Sequence, residues 1–353
     1  MSGNDEVHPP KDKVSRRNFL YLAAGASAGV VGVAAFQSKL RGPLLTQKDK
    51  DNSASRPASS GKSTVAVIRN EGVFAEDELV ETEVDRMLSA GMAALSLSSW
   101  GTLFKPGDIV GIKVNCIAGP QLSTHPLVVH AVVGQLQKAG IPAENIIIWD
   151  RTNRELTRAG YSLNTGKKGV KCYGTDAVGY EEKASAQKSF NGRLSKILTR
   201  QITALINMPI LKDHGGAGVT IAMKNHYGSF DNPGSHHKNL CDPYIADLNS
   251  LDDIRAKTRL IICDATRATC NGGPGFNPAF VWRYKGLLLS RDPVALDTVG
   301  TQIIDERRVK VGLQALEQIG RYPRQLASAA ERGLGNTDSA RIDIRSKNIS
   351  ASV

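Results

Sequence analysis

Short apolar runs alternate with longer stretches of helical periodicity along most of this chain. Thr64-Val65-Ala66-Val67-Ile68-Arg69 is β-branched and bounded by polar residues, which predicts a buried strand. Acidic Glu76, Asp77 and Glu78 then precede Leu79, Val80, Val84, Met87 and Leu88 at helical spacing, an expected helix start. Lys105-Pro106-Gly107-Asp108 turns the chain into a second strand over 109–114. Leu127, Val128, Ala131, Val132 and Leu136 share one face of a helix over 126–138 that Gly140 stops. Further strands are expected at 146–150, 204–208 and 260–264, and further helices at 245–256, 293–306, 311–319 and 322–333.

This alternation predicts an α/β fold whose largely parallel sheet carries helices on both faces, built as one large domain or two tightly joined lobes. Ligand sites in such sheets collect at the carboxyl ends of strands, where Asn115, Asp150, Lys212 and Asp264 are expected to fall.

The first 63 residues follow another grammar. Ser15-Arg16-Arg17-Asn18-Phe19-Leu20 closes a charged segment, and no charged side chain occurs from Phe19 to Phe36. Residues 1–36 read as a twin-arginine signal, with a membrane anchor as the alternative. Gly25, Gly29, Gly32 and Ser27 make the stretch only mildly apolar, and Val33-Ala34-Ala35 offers small residues for cleavage. Residues 37–63, polar from Lys48 onward, read as a disordered linker. The expected partner is the twin-arginine translocase, and the expected location is periplasmic or exported, with or without membrane attachment. An α/β domain over 64–307 and a C-terminal helical extension and tail over 308–353 complete the expected organisation.

The net charge is +11, and residues 1–62 hold ten Lys and Arg against five Asp and Glu. No dense Lys/Arg run interleaves with aromatics, so no nucleic-acid partner is expected. Cys116, Cys172, Cys241, Cys263 and Cys270 lie far apart without a C-x-x-C pair, which excludes a ferredoxin-type iron–sulfur cluster within the chain.

Candidate chemistry concentrates after the strand at 204–208. Asn207 to Gly228 holds Lys212, His214, Lys224 and His226 among four nearby glycines in one expected loop. The string lacks the phosphate-loop pattern, so nucleotide binding is not expected. His236-His237 follows in a second polar loop, and His125 stands at a helix start after Ser123-Thr124. Imidazole and amine side chains crowded at strand ends suit acid–base work or metal ligation near neutral pH. His125, Lys212, His214 and Lys224 are the catalytic candidates. Lys224, Asn225 and Asp264 are candidates for holding a cofactor, and His226, His236 and His237 for binding a divalent metal.

Gly111-Ile112-Lys113-Val114-Asn115, Thr124-His125-Pro126, Lys212-Asp213-His214, Thr220 through Lys224-Asn225 and Gly228, Asp264 with Gly272-Gly273-Pro274, and Asp292-Pro293-Val294-Ala295-Leu296-Asp297 resemble the family catalogued as domain of unknown function 362, over about residues 64–307. Many of its relatives carry ferredoxin cysteines that this sequence lacks. Thr124-His125, His214, Lys224 and His236 or His237 are also similar in kind and order to residues of nickel-pincer lactate racemases. That likeness implies His125 and His214 as an acid–base pair, Lys224 holding a pyridinium-derived cofactor and a later histidine binding nickel.

The expected function is therefore an exported enzyme that binds a small anionic substrate or a metal cofactor through its His/Lys-rich segments. A non-enzymatic periplasmic carrier of metal or anion is the alternative, and an interaction scaffold a third reading.

Overall fold

Strand after strand in the computed structural model, which describes residues 61–351, sends alternate side chains into two separate cores. On β1 (Ser63–Asn70), Ala66 and Ile68 join one core while Val65 and Val67 join the other. On β8 (Thr258–Thr269) and β10 (Gly286–Ser290), Leu260, Ile262, Leu287 and Leu289 join the first, and Ile261, Cys263 and Leu288 the second. The first core is covered by α1 (Glu81–Ala94), through Val84, Met87 and Leu88, and by α2 (Pro126–Lys138), through Val128, Val132 and Leu136. The second is covered by α7 (Pro293–Lys310), through Ala295, Leu296, Val299 and Ile303. An α/β sheet with helices on both faces follows, and the described residues form one unit rather than two lobes.

The remaining strands of this sheet are β2 (Val110–Lys113), β3 (Ile146–Trp149), β4 (Lys171–Cys172), β5 (Ala204–Asn207), β6 (Ile210–His214), β7 (Gly218–Thr220), β9 (Val281–Trp282) and β11 (Ile342–Ile349). The sheet runs β11-β1-β10-β8-β5-β2-β3-β4, with β6 against β8 and β7, and β9 against β8. The run from β8 through β5, β2, β3 and β4 is parallel, while β10 is antiparallel to both of its neighbours. From β2 the chain moves outward to β3 and β4, then returns to β5 on the other side of β2. The strand order reverses between β2 and β5, the position at which open α/β sheets form a crevice.

Five expectations change. The acidic triplet 76–78 does not begin α1: Glu76, at φ 54°, turns a small hairpin pairing Phe74 with Leu79 and Ala75 with Glu78. The helix expected at 245–256 is two short ones, α5 (Tyr244–Asn249) and α6 (Asp252–Arg255). Residues 311–319 make turns, because Gly312 takes φ 79° and Leu313 N–H closes the end of α7 on the Arg308 carbonyl. After α8 (Gln325–Glu331), which falls in the expected helical extension, the expected tail holds a strand: β11 runs parallel to β1, with Val65 opposite Ile344. Finally, β8 runs five residues beyond Asp264, so that carboxylate sits in mid-strand rather than at a strand end.

All five cysteines are buried free thiols. Among the described residues no helix is long and apolar enough to cross a membrane. The expected signal and nearly all of the linker lie outside the described residues.

Candidate functional site

Lys113 ends β2 directly opposite Trp149 of β3 and Asn207 of β5. A lysine in a four-residue strand that is buried throughout needs a counter-charge, and the parallel register supplies one at the next residue of β3. Lys113 Nζ lies 2.7 Å from Asp150 Oδ1 and donates to the Val114 carbonyl, with both side chains under a tenth exposed. Asp150 also accepts the backbone N–H groups of Cys116 and Arg151, so its charge is fully used by the chain that folds around it. Gly228 rests on this pair: a Cβ there would lie 2.8 Å from both Lys113 Nζ and Asp150 Oδ1. Gly228→Ala is accordingly expected to spread the ion pair and cost about 1–3 kcal/mol, read as a lower urea midpoint. An unchanged midpoint would show that the loop yields instead.

Beside the pair runs a directed chain of amides. Lys212 Nζ donates to Asn115 Oδ1 at 2.8 Å, Asn115 Nδ2 to Asn225 Oδ1 at 3.0 Å, and Asn225 Nδ2 to Asn207 Oδ1 at 2.7 Å. Asn207 Nδ2 completes it on the Ala222 carbonyl of α4 (Ala222–Asn225). Every member is buried, each amide has its orientation set by the one before, and the ammonium at the head polarises the series. Burial brings Lys212 down to about 8, with the charge of Asp150 opposing the drop.

The segment 210–225, expected as one loop, is a β-hairpin running into α4. Alternation explains it: Leu211 and Val219 point into the second core, whereas Lys212, His214 and Thr220 take the other face. His214 Nδ1 accepts the N–H groups of Gly216 and Ala217 and so closes the turn with its own ring. Those two bonds fix the neutral tautomer with its proton on Nε2. Burial, reinforced by Lys224 and His237, holds His214 down at about 3, so the ring stays neutral through the physiological range.

Lys224 projects from α4 into a cavity of about 260 Å³ that His214, Thr220, Asn115, Asp150, Tyr227 and His237 also line. α4 is anchored from below by Asp297, whose carboxylate accepts the N–H groups of Ala222 and Met223 and is pushed up to about 8 by burial. Lys224 Nζ lies 3.1 Å from His237 Nε2 and 3.1 Å above the centre of the Tyr227 ring. His237 Nδ1 donates to the Pro233 carbonyl, leaving the Nε2 lone pair directed at the lysine. Among the described residues Lys224 has no carboxylate partner, and burial lowers it to about 7, with the Cys241 thiol acting the other way.

Of the residues singled out from sequence, Lys212, His214, Lys224, Asn225 and His237 are brought together at this crevice. His125 is not: its Nδ1 accepts Leu127 N–H at the start of α2, and it does not line the cavity. Asp264 is saturated by His125 N–H and by the Thr266 backbone and hydroxyl, and it holds α2 on the sheet rather than facing a cofactor. The three histidines expected to share a metal diverge. His226 sits below the site between Asn207 and Ser229, and His236 packs among Phe190, Phe230 and Tyr244 with contacts to Asn191 and Ser235. The ring nitrogens of all three have protein partners, and among the described residues no group of three His, Cys, Asp or Glu side chains is placed to hold a metal. Tyr227 and Asn207 carried no signal of their own in the sequence. Lys113 had one: a single charge inside a strand otherwise apolar.

A switch-point crevice holding a buried ion pair, an amide chain and a lysine near neutrality defines an α/β protein with a preformed cavity at the reversal of strand order. The chain belongs to the family described as Domain of unknown function (DUF362), whose profile matches residues 110–302 and so spans every residue of the crevice named above. No curated protein matches the sequence.

Proposed function

We propose that this protein is an exported acid–base enzyme acting on a small anion, with Lys224 and His237 as its proton-transfer pair. The observation that carries the reading is the 3.1 Å contact between Lys224 Nζ and His237 Nε2 inside the cavity, with no carboxylate among the described residues to neutralise the amine. An amine poised near 7 exchanges protons at neutral pH in either direction, as a general base above that value and as a general acid below it. His237, at the outer side of the pair, passes the proton to solvent. An anion entering the cavity supplies the negative charge that Lys224 lacks.

Deuterium wash-in over a panel of small carboxylic acids tests this. Acids incubated with the protein in heavy water are expected to exchange the hydrogen beside the carboxylate, with a rate that rises with pH through about 7 as Lys224 loses its proton. Lys224→Met should lose at least a hundredfold in rate, since general acid–base catalysis contributes roughly 10²–10⁴. Equal exchange by wild type and Lys224→Met would refute the pairing, and tight binding without exchange would favour a carrier.

Export rests on Arg16-Arg17 and the uncharged stretch that follows. Replacing both arginines by lysine is expected to leave the protein in the cytoplasm, read by fractionation. Undiminished periplasmic protein would remove the twin-arginine assignment.

A further inference from the structure

The geometry points to a carboxylate seat inside the cavity, formed by the Thr220 hydroxyl and the His214 Nε2–H, for a small monocarboxylate whose other end lies at Lys224. This deepens the proposed function and rests on the same cavity.

Thr220 carries the first observation. It is 4% exposed, it lines the cavity, and its Oγ1 has no hydrogen-bond partner among the described residues. A buried hydroxyl without a partner is destabilising, and nothing in the fold requires a hydroxyl there, because valine has the same shape and suits a strand at least as well. An unpartnered donor on a residue that lines a preformed cavity is the complement of an acceptor on a ligand.

His214 carries the second. Its Nδ1 is committed to two backbone N–H groups, so the Nε2 proton has nothing to donate to in the turn it closes. In the β6–β7 pairing, Lys212 stands opposite Thr220 and His214 opposite Gly218. His214 and Thr220 are thus diagonal neighbours on one face of the hairpin, a spacing that lets both donors reach the oxygens of one planar group. The same ring stays neutral because burial and the nearby cations hold it at about 3.

The ligand class follows from the charges. Lys113 and Arg151 line the cavity but are paired with Asp150 and Glu155, which line it too, so one titrating amine and two neutral donors are left for a ligand. Such a lining balances one negative charge and is poorly matched to a phosphate dianion, which calls for oriented amides or several cations. A cavity of about 260 Å³ has room for a small organic acid.

The test is calorimetric titration of the full chain at pH 6.5 with acetate, propanoate and inorganic phosphate. Wild type is expected to bind a carboxylate more tightly than phosphate. Thr220→Val is expected to weaken that binding at least tenfold while leaving the melting temperature of the free protein unchanged or higher. A Thr220→Val protein that binds carboxylates like wild type would overturn the seat, and the proposed function would still stand if Lys224→Met abolished exchange. Tighter binding of phosphate, or no binding of either carboxylate by wild type, would overturn the ligand class.

Discussion

Asp150→Ala is expected to destabilise the protein by about 3–5 kcal/mol, the range for removing one partner of a buried ion pair. Lys113 is 0% exposed, and without Asp150 its ammonium keeps only the Val114 carbonyl as a hydrogen-bond acceptor and the Trp149 ring 5.5 Å away. The loss extends to the backbone, because the Cys116 and Arg151 N–H groups both end on the same carboxylate. These donors lie where β2 and β3 leave the sheet, so the crevice floor loosens together with the ion pair. For a chain of this size the cost lowers the melting temperature by about 10 °C. Lys113→Met alone removes the charge that Asp150 balances and is also destabilising. Lys113→Met combined with Asp150→Leu should recover part of the loss, since no uncompensated charge stays buried. The measurement is a double-mutant cycle by urea unfolding. A cost under about 1 kcal/mol for Asp150→Ala, the value typical of exposed pairs, would show that solvent reaches the pair.

The ion pair also illustrates what could be read from the chain alone. The strands at 110–113, 146–149 and 204–207 were legible because parallel strands covered on both faces are continuous apolar runs, and α2 because its apolar residues keep one face. Asp150 was visible as a carboxylate at a strand end and Lys113 as a charge inside an expected strand, but their pairing depends on strand register across 37 positions, which no local pattern encodes. The edge strand β11 was hidden by its own chemistry. Asp343, Arg345 and Lys347 make it read as a tail, yet such charges are what keeps a sheet edge from pairing with another molecule. Residue type misled in the opposite direction at the histidines. His226 and His236 were drawn in by clustering along the chain and His125 by its place at a helix start, and each is hydrogen-bonded within the fold away from Lys224 and His237. Thr220, uncharged and noticed only as the start of a family string, supplies the unpartnered hydroxyl instead.

Lys224→Met is expected to make the protein more stable while removing the exchange activity proposed for it. Lys224 is 5% exposed, and its charge is balanced by a tyrosine ring and a histidine rather than by a carboxylate. Burial lowers it from its ordinary 10.5 to about 7 in the folded state. Between these values the unfolded chain holds the proton and the folded one does not, so native stability rises with pH across that window. Below about 7 both states are protonated, and the folded state carries the full cost of a buried ammonium. Methionine has similar length and no charge, so its advantage is greatest at pH 6, about 2–4 kcal/mol at 1.36 kcal/mol per pKa unit after allowing for the lost contact with Tyr227. The advantage should shrink toward zero as the pH approaches 10. Urea unfolding of both proteins at pH 6 and pH 9.5 measures it. If Lys224→Met were less stable at both values by the same amount, the lysine would be a packing element and its proximity to His237 incidental. A residue that weakens the fold at neutral pH and is nonetheless held by Asp297 through α4 against a histidine fits the proposed proton-transfer role, since function is where folds retain groups that stability alone would discard.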